Sequence, residues 1–232
     1  MMSENSPSGS NPTPGQIDPR TRRSIESAVE HLANDGSVGF PSETVWGLAA
    51  RATSDKAVAA LRLWKGRGDD QPFSLLVESA DALGAVGVHL PAAARRLTRA
   101  LWPGPLTLVL PCDRELPGGV ARSSDGAVGV RCSSHPLAAE LARRLAGRGL
   151  GPVTATSLNR SGGPAAAARD AAAALCGDDP GEPWLLDVPG AAPPGGVAST
   201  VVDATGEEPV VLREGAVSRA RVEACLCEGA GA

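Results

Sequence analysis

Lys65 and Arg67 flank a single glycine in "LWKGRGDDQPFSLLV", residues 63–77. Lysine supplies a compact point charge and arginine a planar fork. The glycine between them lets the backbone turn so that both can face one anion, a combination suited to a polyphosphate. The same spacing fits a solvated helix end whose cations pair with Asp69 and Asp70, contacts that contribute little at a surface. A second cluster, "TATSLNRSGGPA" at 154–165, is rich in hydroxyls and opens into glycines. Ser157 and Asn159 stand two apart, so an extended backbone turns both to one side and offers a hydroxyl and an amide to one ligand. An ordinary turn closed by local side-chain hydrogen bonds satisfies that pattern equally well. In "PSETVWGL" at 41–48, Ser42 and Thr44 share a side in the same way, and Trp46 reads either as a pocket wall or as a core aromatic.

Other chemistries find little support. Neither GxxxxGK(S/T) nor a convincing GxGxxG after a strand is present, which argues against a Walker-type or dinucleotide site. The five cysteines, Cys112, Cys132, Cys176, Cys225 and Cys227, include no CxxC pair, and the three histidines lie far apart. Neither a disulfide framework nor a structural zinc is expected, and no metal site is assigned. A formal charge of -4 argues against a broad surface for nucleic-acid phosphates but leaves room for a local basic cleft. No apolar run reaches the roughly 20 residues that cross a bilayer, and the start lacks a signal-peptide core, so a cytoplasmic location is expected.

Positioning these residues requires a scaffold, and 232 residues suit one domain with ragged ends. Residues 1–17 are expected to form a disordered tail, 18–223 the folded domain and 224–232 a flexible C-terminal tail. Asp18 and Pro19 open a first helix, with Ile25, Val29 and Leu32 on one face and Gly36 as its stop. Start signals and periodicity predict further helices at 54–64, 91–102, 136–146, 170–176 and 218–226. Strands are predicted at 37–40, 74–77, 107–110, 127–131, 153–156, 185–187, 200–203 and 210–212, an alternation that implies an α/β fold with an at least partly parallel sheet. The polar clusters fall just past strand ends, where open α/β sheets bind ligands.

In chain order, "GFPSETVWGLAARATSDKAVAALRLWKGRGDDQPFSLLV", "WPGPLTLVLP", "GAVGVRCSSHPLAAELARRL", "GPVTATSLNRSGGPA", "GGVASTVVD" and "VLREGAVS" resemble successive blocks of the YrdC family, the threonylcarbamoyl-AMP synthases, over about Ile25 to Val217. The resemblance implies a YrdC-like α/β fold, a twisted mixed sheet with flanking helices around a concave basic cavity, in its single-domain form. It also implies an enzyme that joins L-threonine, bicarbonate and ATP, with Mg²⁺, into threonylcarbamoyl-AMP and pyrophosphate for N6-threonylcarbamoyladenosine at position 37 of tRNA. By this likeness Lys65 and Arg67 are the family's K-x-R and Ser157 and Asn159 its S-x-N, acting together on the triphosphate. Ser199 and Arg213 then belong to the nucleotide side, and Ser42, Thr44, Trp46 and Arg131 to the amino-acid side. The tRNA threonylcarbamoyl-transferase complex is admitted as a partner; direct tRNA binding is not expected.

Departures from the family pattern gather at the amino-acid side. Ser42 replaces a usual threonine, Trp46 stands where tyrosine is commonest, Gly68 replaces the proline after K-x-R, and "SLLVES" lacks a histidine found in many relatives. They bear on the acceptor more than on adenylation, so a divergent paralogue acting on a different amine stays open. So does an RNA-binding module of the same fold, although the net acidity and the lack of an aromatic-basic run weigh against it.

Overall fold

The computed structural model describes residues 17–68, 71–114, 116, 120 and 126–227. Residues 1–16 of the tail expected at 1–17, the final residues 228–232, and Asp69 and Asp70 lie outside the described residues. Helix α1 (Pro19–Ala33) begins as its sequence predicts, with the Asp18 carboxylate accepting from the backbone N–H groups of Arg20 and Thr21. After β1 (Ser37–Phe40) and β2 (Gly47–Ala50) comes α2 (Asp55–Lys65), capped by the Ser54 hydroxyl. Gly66 ends it at φ 64°, a left-handed conformation that costs glycine little and turns the chain directly after Lys65. The chain continues through β3 (Ser74–Leu76), α3 (Ala92–Leu101), β4 (Leu106–Pro111), β5 (Ala127–Arg131), α4 (Pro136–Gly147), β6 (Val153–Ser157), α5 (Arg169–Ala173), β7 (Trp184–Leu185), β8 (Thr200–Asp203), β9 (Val210–Arg213) and α6 (Arg219–Cys227).

The strands form one mixed sheet in the order β7-β1-β2-β6-β3-β5-β4-β8-β9. The pairs β1/β7, β3/β5 and β4/β8 are parallel, and the other neighbours are antiparallel. Strand alternation sorts the side chains onto two faces. On one face Leu48, Leu75, Leu106, Leu108, Leu110, Val128, Val130 and Val202 join a core with Val58 and Leu61 of α2, Leu97 of α3 and Val222 of α6. On the other, Val38, Phe40, Ala49, Leu76 and Val153 pack against Ile25, Val29 and Leu32 of α1 and Leu137 and Leu141 of α4. This second core reaches β1, β2, β6 and β3 but no residue of β5, β4 or β8. The sheet is therefore helix-covered across one face and only at one end of the other.

The structure departs from the sequence expectation in a few places. Strand β2 was expected as loop; all four of its residues are buried, so the alternation that marks a half-buried strand is missing from "GLAA". Helix α6 continues through residues 224–227, with Cys225 buried against the first core, so these residues belong to the fold and not to a tail. Helix α5 is shorter than expected and β7 begins one residue earlier. Among the described residues no helix is long and apolar enough to cross a membrane.

The two faces make a stability prediction. Leu108, fully buried in the middle of β4, should cost about 2–5 kcal/mol when replaced by alanine, through lost transfer energy and a residual cavity. Val109→Ala, on the opposite and partly open face, should cost less than about 1.5 kcal/mol. Urea unfolding of the two variants checks the difference; equal losses would mean that both faces are packed alike.

Candidate active site

The uncovered part of the second face is the floor of a cavity of about 700 Å³. Its floor is low because the strands place small residues there: Ser74 of β3, Ala127 and Gly129 of β5, and Ala155 of β6. A Cβ on Gly129 would stand 2.7 Å from Ser74 Oγ, so glycine here leaves room for that hydroxyl and keeps the floor low. The cavity thus sits on the sheet face, and not beyond the strand ends as the pattern of polar clusters suggested; mid-strand residues such as Thr107 and Val201 line it as well. The clusters nonetheless converge on it: Lys65, Arg67, Ser157, Asn159, Ser199, Arg213, Ser42, Thr44 and Arg131 all line this one cavity.

At one wall the end of α2 meets the end of β6. Lys65 is only 4% exposed, which rules out a solvated helix end. Its Nζ donates to Ser157 O at 2.6 Å, to Asn159 O at 3.0 Å and to Asn159 Oδ1 at 3.0 Å. Asn159 Oδ1 also accepts from Ser157 Oγ at 2.7 Å, and Asn159 Nδ2 donates to Gly163 O at 2.7 Å. Burial, and then the neighbouring Arg67 guanidinium, push the Lys65 pKa from 10.5 down to about 8. Three oxygens around one nitrogen call for three donors, which only the ammonium form supplies.

Arg67 leaves the same turn over Phe73, its guanidinium 4.8 Å from the ring centre, and donates through Nη1 to Thr156 Oγ1 at 3.1 Å. Its Nε is buried without a partner, and burial followed by repulsion from Arg62 lowers its pKa. Arg62 lies 5.2 Å from the centre of the same ring. Arg160 strengthens the junction, stacking on Trp64 at 4.2 Å and donating to Trp64 O.

A second polar corner gathers around Arg131. Its Nη2 donates to Thr44 Oγ1 at 2.7 Å, reaches Ser42 Oγ at 3.4 Å, and pairs with Glu43 Oε1 at 3.0 Å. Burial alone would raise the Glu43 pKa, but the Arg131 charge and the Ser133 hydroxyl outweigh it and hold the carboxyl below its ordinary range. At a third wall Ser199 Oγ lies 2.9 Å from Thr107 Oγ1, and Arg213 Nη2 donates to Ser199 O at 2.9 Å.

Trp46 is the one expected site residue that the fold keeps away. The backbone bends at 43–45, so Val45 and Gly47 face the cavity, while Trp46 falls in phase with Leu48 and Ala50 and packs into the first core. It is 4% exposed and borders a separate, smaller cavity with Arg169 and Asp187. Sequence reasoning also missed Glu43, Phe73, Thr107, Ser133 and Thr156. Glu43 and Thr156 sit inside the very clusters quoted above, but strict alternation turned attention to their neighbours. Among the described residues no group of three or more His, Cys, Asp or Glu could hold a metal ion.

An open mixed sheet with cations and hydroxyls lining a cavity on its bare face, and no P-loop, defines a class of α/β folds whose site lies on the sheet itself. The chain belongs to the Sua5/YciO/YrdC family, whose domain, described as "Telomere recombination", matches residues 30–215. It is 38% identical over 210 residues to a putative threonylcarbamoyl-AMP synthase of Mycobacterium tuberculosis H37Rv, covering 90% of this chain and 92% of that one. The threonylcarbamoyl-AMP synthase of Bacillus subtilis is 34% identical over 87% of this chain, which spans 56% of that longer protein. A structure of Pyrococcus abyssi Sua5 complexed with L-threonine superposes with a TM-score of 0.76 at 33% identity, over 87% of this chain and 56% of Sua5. Escherichia coli YciO, at 21% identity and a TM-score of 0.72, shares the fold.

Proposed function

We propose that this chain adenylates the carbamate of L-threonine. Bicarbonate takes up a proton and loses water to give carbon dioxide; the amine nitrogen of threonine bonds to its carbon and releases a proton, so the two steps balance. A carbamate oxygen then attacks the α-phosphorus of ATP, and the bond from that phosphorus to the β-phosphate oxygen breaks to release pyrophosphate. The product, threonylcarbamoyl-AMP, is the activated donor for N6-threonylcarbamoyladenosine at position 37 of tRNA, and the cytoplasm is the corresponding location. The reading rests above all on one observation: two segments 92 residues apart bring Lys65, Ser157 and Asn159 into one hydrogen-bonded cluster with Arg67 beside it on Thr156, on the same cavity that the Arg131 corner lines.

In this proposal the two polar corners divide the substrates. Arg67 offers its fork to the triphosphate, where charge grows on the phosphoryl oxygens and the leaving pyrophosphate. Lys65 acts through its charge and by fixing Ser157 and Asn159, because its three N–H groups are already engaged. Fixed cations already in place need no reorganisation as charge develops, and no nucleophilic side chain is required. Ser199, Thr107 and Arg213 border the nucleotide, and Arg131 with Ser42 and Thr44 receives the amino-acid carboxylate. Asp203 is the one carboxylate among the described lining residues, so Mg²⁺ fits as the companion of ATP, held mainly by phosphate oxygens.

Three outcomes check this reading. Purified protein given ATP, Mg²⁺ and bicarbonate with each amino acid in turn should release pyrophosphate with threonine and yield an adenylate of the mass of threonylcarbamoyl-AMP. Release with another amine alone would identify a divergent paralogue, and RNA binding without release would favour a binding module. Arg67→Ala should lower kcat/KM for ATP about 10²-fold with the fold intact by circular dichroism, and near-normal turnover would remove Arg67 from the phosphate site.

The third outcome is a pH dependence. Lys65 carries its charge below its lowered pKa and loses it as pH rises through about 8, well before an ordinary lysine does. Equilibrium binding of ATP should therefore weaken as pH passes about 8. Measuring binding, and not turnover, keeps the titration of the threonine amine out of the result. Affinity that holds constant to pH 10 would contradict the role given to Lys65.

A further inference from the structure

Glu43 does not line the cavity, yet it is the residue on which the amino-acid corner converges. Its carboxylate pairs through Oε1 with Arg131 Nη2 at 3.0 Å and accepts through Oε2 from Ser133 Oγ. Ser133 Oγ in turn accepts the His135 backbone N–H at 3.2 Å, and the His135 ring lies 3.0 Å from Ala192 O through Nε2. The backbone of the same segment receives the N–H groups of Gly195, at Glu43 O, and of Gly196, at Thr44 O. Three segments, 41–46, 131–135 and 188–199, thus meet around Glu43: the second holds its half-buried carboxylate and the third its backbone oxygen.

Arg131 meets that carboxylate as a close ion pair, without hydrogen-bond alignment at Oε1, and hydrogen-bonds to the hydroxyls on either side of it. Its guanidinium is 13% exposed, and every contact it makes among the described residues is through Nη2 to the 41–46 loop; Nε is buried without a partner and Nη1 makes no hydrogen bond. Hydroxyls of Ser42 and Thr44 can rotate, but a carboxylate fixed by Ser133 cannot. A guanidinium tethered through Nη2 beside an anion is held in one orientation at the cavity that Arg131 lines.

We infer that Glu43 is a positioning residue for the amino-acid substrate: it acts through Arg131, orienting the guanidinium that receives the substrate carboxylate, and does not itself touch substrate. This rests on the threonine reading given above. Glutamine at this position keeps an oxygen for Arg131 and a polar group for Ser133, whereas alanine keeps neither.

The test is a cycle of Glu43→Ala, Arg131→Ala and the double variant, with Glu43→Gln as the conservative substitution. Each is assayed for threonine-dependent pyrophosphate release at saturating ATP, and for the KM of ATP. Glu43→Ala should raise the KM for threonine about tenfold and leave the KM for ATP within twofold, and Glu43→Gln should recover most of the loss. The double variant should match Arg131→Ala in kcat/KM for threonine, because Glu43 has nothing left to position. Should Glu43→Ala fail to fold with Arg131 left as an unpaired buried cation, the comparison of Arg131→Ala with the double variant still decides. A further tenfold loss in the double, or an equal rise in the KM for ATP, overturns the inference. Wild-type protein without threonine-dependent release sinks the underlying reading instead, so the two failures are distinguishable.

Discussion

One sheet with unequal cover is the constraint from which the rest follows. Helices α2, α3 and α6 bury one face across its width, while α1 and α4 bury the other only over β1, β2, β6 and β3. A bare sheet face cannot carry a large apolar surface without inviting association, so the strands that cross it place Ser74, Thr107, Ala127, Gly129 and Ala155 there. The same alternation sends Leu106, Leu108, Leu110, Val128 and Val130 to the buried side. Stability and cavity are therefore two faces of the same strands, and changing the register of any of them by one residue would exchange core for site.

Three cations of the cavity walls, Lys65, Arg67 and Arg131, have lost much of their water. Removing charge from water is costly, and each cation recovers part of that cost differently. Lys65 is surrounded by the oxygens that end β6, Arg67 by the Phe73 ring and the Thr156 hydroxyl, and Arg131 by Glu43 with two hydroxyls. Arg62 and Arg67 both lie over the Phe73 ring, whose negative face attracts each of two charges that repel one another. Among the described residues, only Arg131 of the cations lining the cavity is met by a carboxylate; Lys65 and Arg67 are held there by neutral groups. That difference suits a polyphosphate at one corner and a single carboxylate at the other.

Much of this was legible before any coordinates. Asp18 and Pro19, Ser54 and Gly66 announce helix ends because capping is decided by a few neighbouring residues, and β4 and β5 show themselves through alternation. Strand β2 did not, because a strand buried on both faces has no alternation to read. The spacing of Lys65 with Arg67, and of Ser157 with Asn159, marked both pairs as candidates, and six blocks in unbroken order pointed to the family. None of these local signals says which pair meets which.

What the sequence determined by itself is whatever depends on near neighbours: helix boundaries, the face each strand residue takes, the candidate chemistry and the family. Only the tertiary structure decided that Lys65 is buried and not solvated, that Trp46 turns to the core while Val45 and Gly47 turn to the cavity, and that Glu43 lies behind Arg131. The physical reason is that burial and charge pairing are properties of groups brought together across the chain. A bend of three residues at 43–45 changes which neighbour faces outward, and a hydrogen bond between residues 92 apart has no trace in either segment alone.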